Sequence, residues 1–174
     1  YSLRGNKVSA KRKLLYMSPK GKIFNQKYAE SLSHVSEITI ICGRFEGIDE
    51  RVLLKNSVEE VSVGDYVLSG GELAAMTLLD SVVRLLPGTL GNTKSTEKES
   101  FCDDLLEAPQ FTKPIIWNDL QVPEILLSGN HEKIYEWRKK ASENETKKKR
   151  PDLYIKYVEK KKKWIKREEL IMRK

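Results

Sequence analysis

Cysteine and histidine are the scarcest chemistry-bearing residues in this 174-residue chain, with two of each. Cys42 and Cys102 form no C-x-x-C pair, which excludes a zinc ribbon and argues against a disulfide scaffold. Reduced thiols, and with them a cytoplasmic location, are the expectation. No group of His, Cys, Asp or Glu has metal-ligand spacing, so no metal site is expected from the residues. No apolar run approaches the roughly 20 residues of a membrane helix, so a helical integral membrane protein is excluded. No charged-then-apolar leader precedes a small-residue cleavage site, so secretion is not indicated. Neither G-x-G-x-x-G nor G-x-x-x-x-G-K-[ST] occurs, which removes the dinucleotide fingerprint and the Walker phosphate loop. The chain also has no internal repeat, and it begins at Tyr1 rather than at a methionine.

What is present is unevenly charged. Residues 1–130 hold 15 Lys and Arg against 17 Asp and Glu, while residues 131–174 hold 17 against 8. A body of net −2 therefore carries a tail of net +9. Such a tail suits a polyanion, nucleic acid first and an anionic membrane surface second. The plainer alternative is a solvated helix of Lys and Glu.

Apolar patterning predicts an α/β fold. Lys13–Ser18 reads as a buried strand stopped by Pro19-Lys-Gly21, and Gln26–Ser33 as a short helix. Ile38–Cys42 is continuous and β-branched, as in an inner strand of a parallel sheet covered on both faces. Val61–Leu68 alternates as a strand or extended loop, and Glu72–Leu86 reads as a deeply buried helix ended by Pro87-Gly88. Thr89–Ser100 is polar and linker-like, and Phe101–Pro123, with three prolines, reads as mostly loop. Asn130 is placed to cap a helix from His131 to about Ser142. Past the basic run Lys147–Arg150 and Pro151, a Lys-rich helix is expected from about Asp152 to Met172. The division that follows is an α/β domain over 1–88, a flexible linker with a candidate catalytic carboxylate over 89–108 and a basic helical domain over 109–174, expected to bind the nucleic acid.

Three glycine-bearing turns fall where apolar strands end: Ser18–Gly21, Gly43-Arg-Phe-Glu-Gly47 and Ser69-Gly70-Gly71. Glycine there lets the backbone approach a ligand, and open parallel sheets gather ligands at strand carboxyl ends. A pocket is therefore expected. In the helix starting at Glu72, the polar residues Thr77, Asp80, Ser81 and Arg84 form one stripe. Either it faces solvent with an Asp80–Arg84 pair, or it holds Arg84 over a reaction site. Glu97, Glu99, Asp103, Asp104 and Glu107 cluster in and after the linker. They are either simply solubilising or include a general base beside an apolar neighbour such as Phe101. His131 is more suited to capping or packing than to metal binding.

Taken together, Cys42-Gly-Arg-Phe-Glu-Gly-Ile-Asp-Glu-Arg-Val52, Val63-Gly-Asp-Tyr-Val-Leu-Ser-Gly-Gly-Glu-Leu73, Ala75–Asp80, Leu86-Pro-Gly88, Leu127-Ser-Gly-Asn-His131 and Arg150-Pro-Asp-Leu153 resemble the bacterial tRNA (guanine-N1)-methyltransferase family. The resemblance runs from about Leu14 to Leu153. It implies a trefoil-knotted α/β fold of the SPOUT superfamily and a homodimer with its active site at the subunit interface. It also implies transfer of a methyl group from S-adenosylmethionine to N1 of the guanosine immediately 3′ of the tRNA anticodon. The family's amino-terminal portion has no counterpart here, so a longer native protein, or folding helped by a partner subunit, is expected.

By the same resemblance, Tyr16, Met17, Ser18 and Pro19 match the first wall of the cofactor pocket. Gly43 matches a cofactor-contacting glycine, and Val63, Gly64, Asp65, Tyr66, Val67 and Leu68 with Gly70 and Gly71 match the knot loops around the adenosine. Arg44 and Glu46 match positions near the target guanine, and Glu107 a second acidic position. N1 of guanine is a poor nucleophile until a base removes its proton, and the charge that develops on O6 needs a cation. Arg84 matches the family's arginine for that second role. Glu99 precedes Ser100-Phe101 where the family has an aspartate as the base. The added methylene keeps the carboxylate but shifts it, so an alternative is a weakened homologue that binds tRNA without efficient methyl transfer. A related enzyme acting on another RNA is a third reading. Further departures are Glu107 for aspartate, Val61 for tryptophan, Ala74 for proline and Gln110-Phe-Thr-Lys113 for His-Tyr-Thr-Arg. The family's magnesium dependence is implied too, although no residue here marks a site for it.

Overall fold

The computed structural model describes residues 9–89 and 99–172, so most of the linker-like stretch falls outside the described residues. The described residues form two compact units, one on each side of that gap.

The amino-terminal unit is α/β. Strand β1 (Ser9–Ile23) lies at the centre of a three-stranded parallel sheet, with β2 (Val35–Cys42) on one side and β3 (Glu59–Ser62) on the other. Parallel neighbours require crossovers, supplied by α1 (Gln26–Ser33) and α2 (Glu50–Lys55). Each helix begins on a side-chain cap. Asn25 accepts from the Tyr28 amide at 3.0 Å, and Asp49 accepts from the Arg51 amide at 2.9 Å. Helix α3 (Glu72–Val83) follows β3 and packs against α1. Leu15 and Met17 from β1, Ala29 and Leu32 from α1, Val61 from β3, and Ala74, Ala75, Leu78 and Val82 from α3 make one core.

Three expectations change here. The most apolar run, Ile38–Cys42, lies in a strand with one partner among the described residues and is only half covered, whereas β1 is the inner strand. A local run reports hydrophobicity but not the sheet order that decides which strand is enclosed. The Pro19–Gly21 turn does not end β1. Pairing with β3 breaks after Met17 and resumes at Lys22, both opposite Val61, so Ser18–Gly21 bulges out of the ladder where Pro19 has no amide to contribute. Helix α3 ends at Val83, and it buries one face only, leaving Leu73, Met76, Leu79 and Val83 exposed.

The carboxyl-terminal unit is mostly helical. A 3₁₀ turn (Cys102–Asp104) leads through loop to a hairpin of two-residue strands, β4 (Ile116–Trp117) and β5 (Leu120–Gln121). Helices α4 (Glu124–Leu127), α5 (His131–Lys149) and α6 (Pro151–Met172) complete it. Asn130 caps α5 by accepting from the Lys133 amide at 3.1 Å. The helix runs seven residues beyond its expected end, as far as the Pro151 break. Proline suits the first turn of α6, where its missing N–H is not needed. Thr146, fully enclosed, fastens the loop to α5: its Oγ1 accepts from the Leu106 amide at 2.8 Å and donates to the Ser142 carbonyl at 2.7 Å.

Candidate functional site

The parallel sheet brings the carboxyl ends of its three strands to one edge, and a cavity of about 310 Å³ lies there. That is within the size of small-molecule sites, roughly 300–1,000 Å³. The bulge after Met17 supplies Tyr16, Met17, Ser18 and Pro19; the turn after β2 supplies Gly43, Arg44 and Glu46; and the segment after β3 supplies Val63, Gly64, Tyr66, Val67, Leu68, Gly70 and Gly71. The structure therefore gathers the residues expected at a cofactor pocket, with the exception of Asp65, which is not among the lining residues.

The turns are fixed by their own hydrogen bonds. The Lys20 amide donates to Ser18 Oγ at 3.2 Å in the first. The Gly71 amide donates to the Gly43 carbonyl at 3.1 Å, joining the second to the third. Ser62, almost fully buried, donates from its hydroxyl to the Gly64 carbonyl at 3.0 Å, and the same oxygen accepts from the Gly64 amide at 3.2 Å. Close approach to backbone requires glycine in the first and third turns: a Cβ on Gly21 would stand 2.3 Å from the Glu60 carbonyl carbon, and one on Gly71 would stand 2.9 Å from Cys42 Cα.

Charge at the cavity leans negative, with Glu46, Glu50 and Glu60 facing Lys20 and Arg44. Arg44 is engaged, its Nε donating to Glu72 Oε1 at 2.8 Å. The backbone bond at the start of α3, then the Arg44 guanidinium, holds the Glu72 carboxyl below its ordinary range. The rim is apolar and open. Val67 is 85% exposed, and Phe45 is fully exposed with φ of 55°, a left-handed conformation that is strained for a bulky side chain.

The other expected site residues lie elsewhere. Arg84 is the C-cap of α3, half-buried, with its amide donating to the Asp80 carbonyl at 3.2 Å. On the same stripe the Thr77 and Ser81 hydroxyls donate back to the Leu73 and Thr77 carbonyls. Glu99 is half-buried at the start of the second unit. The Glu107 amide donates to Ser100 Oγ at 3.0 Å, and its carboxylate accepts from Gln110 Nε2 at 2.6 Å. Between them Phe101, Asp103 and Asp104 all have positive φ (76°, 55° and 62°). Such strain collects where a fold fixes a functional loop. Among the described residues no three His, Cys, Asp or Glu side chains gather as a metal site.

Lys20 and Phe45 lie within the turns expected to form the pocket, although no role was assigned to either, whereas sequence reasoning missed Glu50 and Glu60 as lining residues. Glu60 required the β1–β3 register, which pairs it with Tyr16 and cannot be read locally.

The family model described as tRNA (Guanine-1)-methyltransferase TrmD matches residues 4–156. Among curated proteins, the tRNA (guanine-N(1)-)-methyltransferase of Pelagibacter ubique is 55% identical over 156 residues, covering 90% of this chain and 68% of that protein. Its namesake in Roseobacter denitrificans is 55% identical over 81% of this chain and 58% of its own length. The Bartonella henselae protein is 52% identical over 82% and 62%. This chain thus spans between 58% and 68% of the length of these relatives. A parallel α/β unit with a turn-lined cavity, inside a match of that extent, places the chain in the tRNA (guanine-N1)-methyltransferase family.

Proposed function

We propose that the protein to which this chain belongs transfers a methyl group from S-adenosylmethionine to N1 of the guanosine immediately 3′ of the tRNA anticodon. One observation carries the reading: the three segments that resemble the family's cofactor loops converge on the cavity at the sheet edge. Exposed backbone at the glycine turns suits an adenine edge. The excess of glutamates over free cations suits a ligand bearing a sulfonium charge. When bound, the cofactor supplies an electrophilic methyl group. Tyr16–Pro19, Gly43 and the 63–71 loop hold and orient it; Arg44 and Glu46 stand at the guanine side.

Glu99 removes the N1 proton, which turns a neutral ring nitrogen into a nucleophile. Arg84 stands opposite the negative charge that grows on O6. Glu107, whose carboxylate accepts from Gln110 Nε2, is the second acidic group on the substrate side. No residue is assigned to magnesium. We further infer the family's trefoil knot, its homodimer with a shared site and a cytoplasmic setting. A second copy of the chain would cover the exposed Leu73, Met76, Leu79 and Val83 of α3. Identities of 52% and 55% to proteins named for this activity do not favour the weakened-homologue alternative.

The test is methyl incorporation into two tRNA transcripts, one with guanosine and one with adenosine 3′ of the anticodon. Incorporation into the first alone, recovered as 1-methylguanosine, is the expected result. Equal incorporation into both, or none into either by a protein that binds tRNA, overturns the reading.

A further inference from the structure

Glu99, the proposed base, is followed by a closed loop that lies within the helical unit. At its neck the Glu107 amide donates to Ser100 Oγ at 3.0 Å, and inside it the Phe101 amide donates to the Leu105 carbonyl at 2.6 Å. The residue next to Glu99 is thereby tied to the far end of the loop. Helix α5 grips the loop at Leu106, whose amide and carbonyl are taken by the Thr146 and Ser142 hydroxyls. Helix α6 grips it at a different place. Lys160 Nζ lies 3.5 Å from Asp103 Oδ1 and 3.7 Å from Asp104 Oδ2. Beside Lys160, α6 is itself fixed to α5: Glu143 Oε1 accepts from the Tyr157 hydroxyl at 2.6 Å and pairs with Lys161 at 3.8 Å. The ammonium therefore reaches the loop from an anchored helix.

Exposed ion pairs contribute little, and the Asp103 arm, with its side chain 83% exposed, is of that kind. Asp104 is different, because its side chain is only 9% exposed. An enclosed carboxylate is costly once a neutralising cation is taken away, more so with a second carboxylate on the preceding residue. Both aspartates also have left-handed backbone (φ 55° and 62°), as does Phe101 (76°). Residues other than glycine keep that conformation only where their surroundings enforce it. Removing the charge of Lys160 lets the turn relieve both costs in one movement, unwinding toward ordinary φ while Asp104 turns out to water. Ser100 and Glu99 move with it, because the loop is closed on itself.

We propose that Lys160 is a positioning residue for the methyl transfer: through Asp103 and Asp104 it holds the strained turn after Glu99, and so sets where the Glu99 carboxylate stands. The proposal rests on Glu99 being the base at guanine N1. Lys160 lies past residue 156, where the family match ends, so the match gives it no role.

The test uses the full-length protein and unmodified tRNA, with folding checked by circular dichroism. Lys160→Met should lower the single-turnover rate at saturating substrates about tenfold, since misplacement by about 1 Å can cost up to about a hundredfold. The KM for tRNA and the Kd for S-adenosylmethionine should not change. Lys160→Arg, which keeps the charge, should keep the rate. In an Asp104→Asn background no enclosed charge needs a cation, and asparagine tolerates left-handed backbone. There the same Lys160→Met should alter the rate by less than about twofold, a coupling that two independent sites would not show. Equal losses in both backgrounds, or a raised KM for tRNA with the rate intact, would place the action of Lys160 elsewhere and overturn the proposal. An unchanged rate in Lys160→Met beside an active wild type would overturn it too, and leave the proposed function standing. A wild type that binds tRNA and S-adenosylmethionine but transfers no methyl group would overturn the proposed function, and this inference with it.

Discussion

The two units hold their shape by different means. The amino-terminal unit encloses ten residues in one apolar cluster around Leu15 and Leu78, whereas Leu153 is the one buried hydrophobic side chain described in the carboxyl-terminal unit. There, hydroxyls do the fastening: Thr146 and Ser142 bind both the amide and the carbonyl of Leu106. The charge differs as well, with net +9 concentrated after residue 130. A pocket that must hold a small molecule in fixed register needs walls set by a packed core. A surface that tracks a polyanion needs exposed cations on a helix and very little core. The comparison teaches that rigidity is placed where the proposed chemistry requires it.

The largest effect expected is on rate. Glu99→Gln should lower methyl transfer by about 10²–10⁴ and Arg84→Ala by about 10²–10³, both with unchanged cofactor affinity. Single-turnover kinetics beside calorimetry would show this, and a loss of binding in step with rate would refute the separation of roles. Next is the core. Leu15→Ala, at a fully buried site, should cost about 2–5 kcal/mol in denaturant unfolding, while Leu120→Ala, 69% exposed, should stay within about 0.5 kcal/mol. Similar costs at both positions would erase the contrast between the units.

Thr146→Val sharpens the same comparison, since it keeps the shape but leaves the Leu106 amide without its acceptor. A cost of about 1–3 kcal/mol, confined to the helical unit by hydrogen exchange, is expected. A neutral result would mean that hydroxyls do not fasten this unit. The smallest effect is at Asp152, exposed beside Arg150, whose guanidinium donates to it at 2.7 and 2.9 Å. That pair holds the carboxyl at about 2. Its folded value lies below the unfolded one near 3.9, so its contribution is complete above that pH and disappears as the pH falls through about 2. Nuclear magnetic resonance titration should show a midpoint near 2, rising toward 4 in Arg150→Gln; an unmoved midpoint would remove Arg150 as the cause.

Elements fixed by local chemistry were legible from residue order. Gln26–Ser33 is a helix within its expected bounds, Asn130 caps α5, and Pro151 separates α5 from α6. A glycine turn beside a strand is ordinary, but three of them in one small α/β unit pointed together to a pocket, and all three line the cavity. What residue order hid was long-range. The apolarity of Ile38–Cys42 could not tell a flanking strand from an inner one. The apolar composition of α3 could not say that one side would stay open. Glu59 is another case: burial alone would raise its carboxyl, yet bonds from Lys13 and Tyr28, on β1 and α1, hold it below its ordinary value. The same contact, after burial, pushes the Tyr28 hydroxyl far up. None of these partners is near Glu59 in sequence.

The central claim is that the cavity at the sheet edge is the S-adenosylmethionine site. Hydrogen–deuterium exchange of the folded chain, with and without saturating S-adenosylmethionine, tests it directly. The account predicts slower exchange in residues 16–20, 43–47 and 62–71, with α5 and α6 unchanged. Unaltered exchange in those three turns, or protection confined to the helical unit, would contradict it.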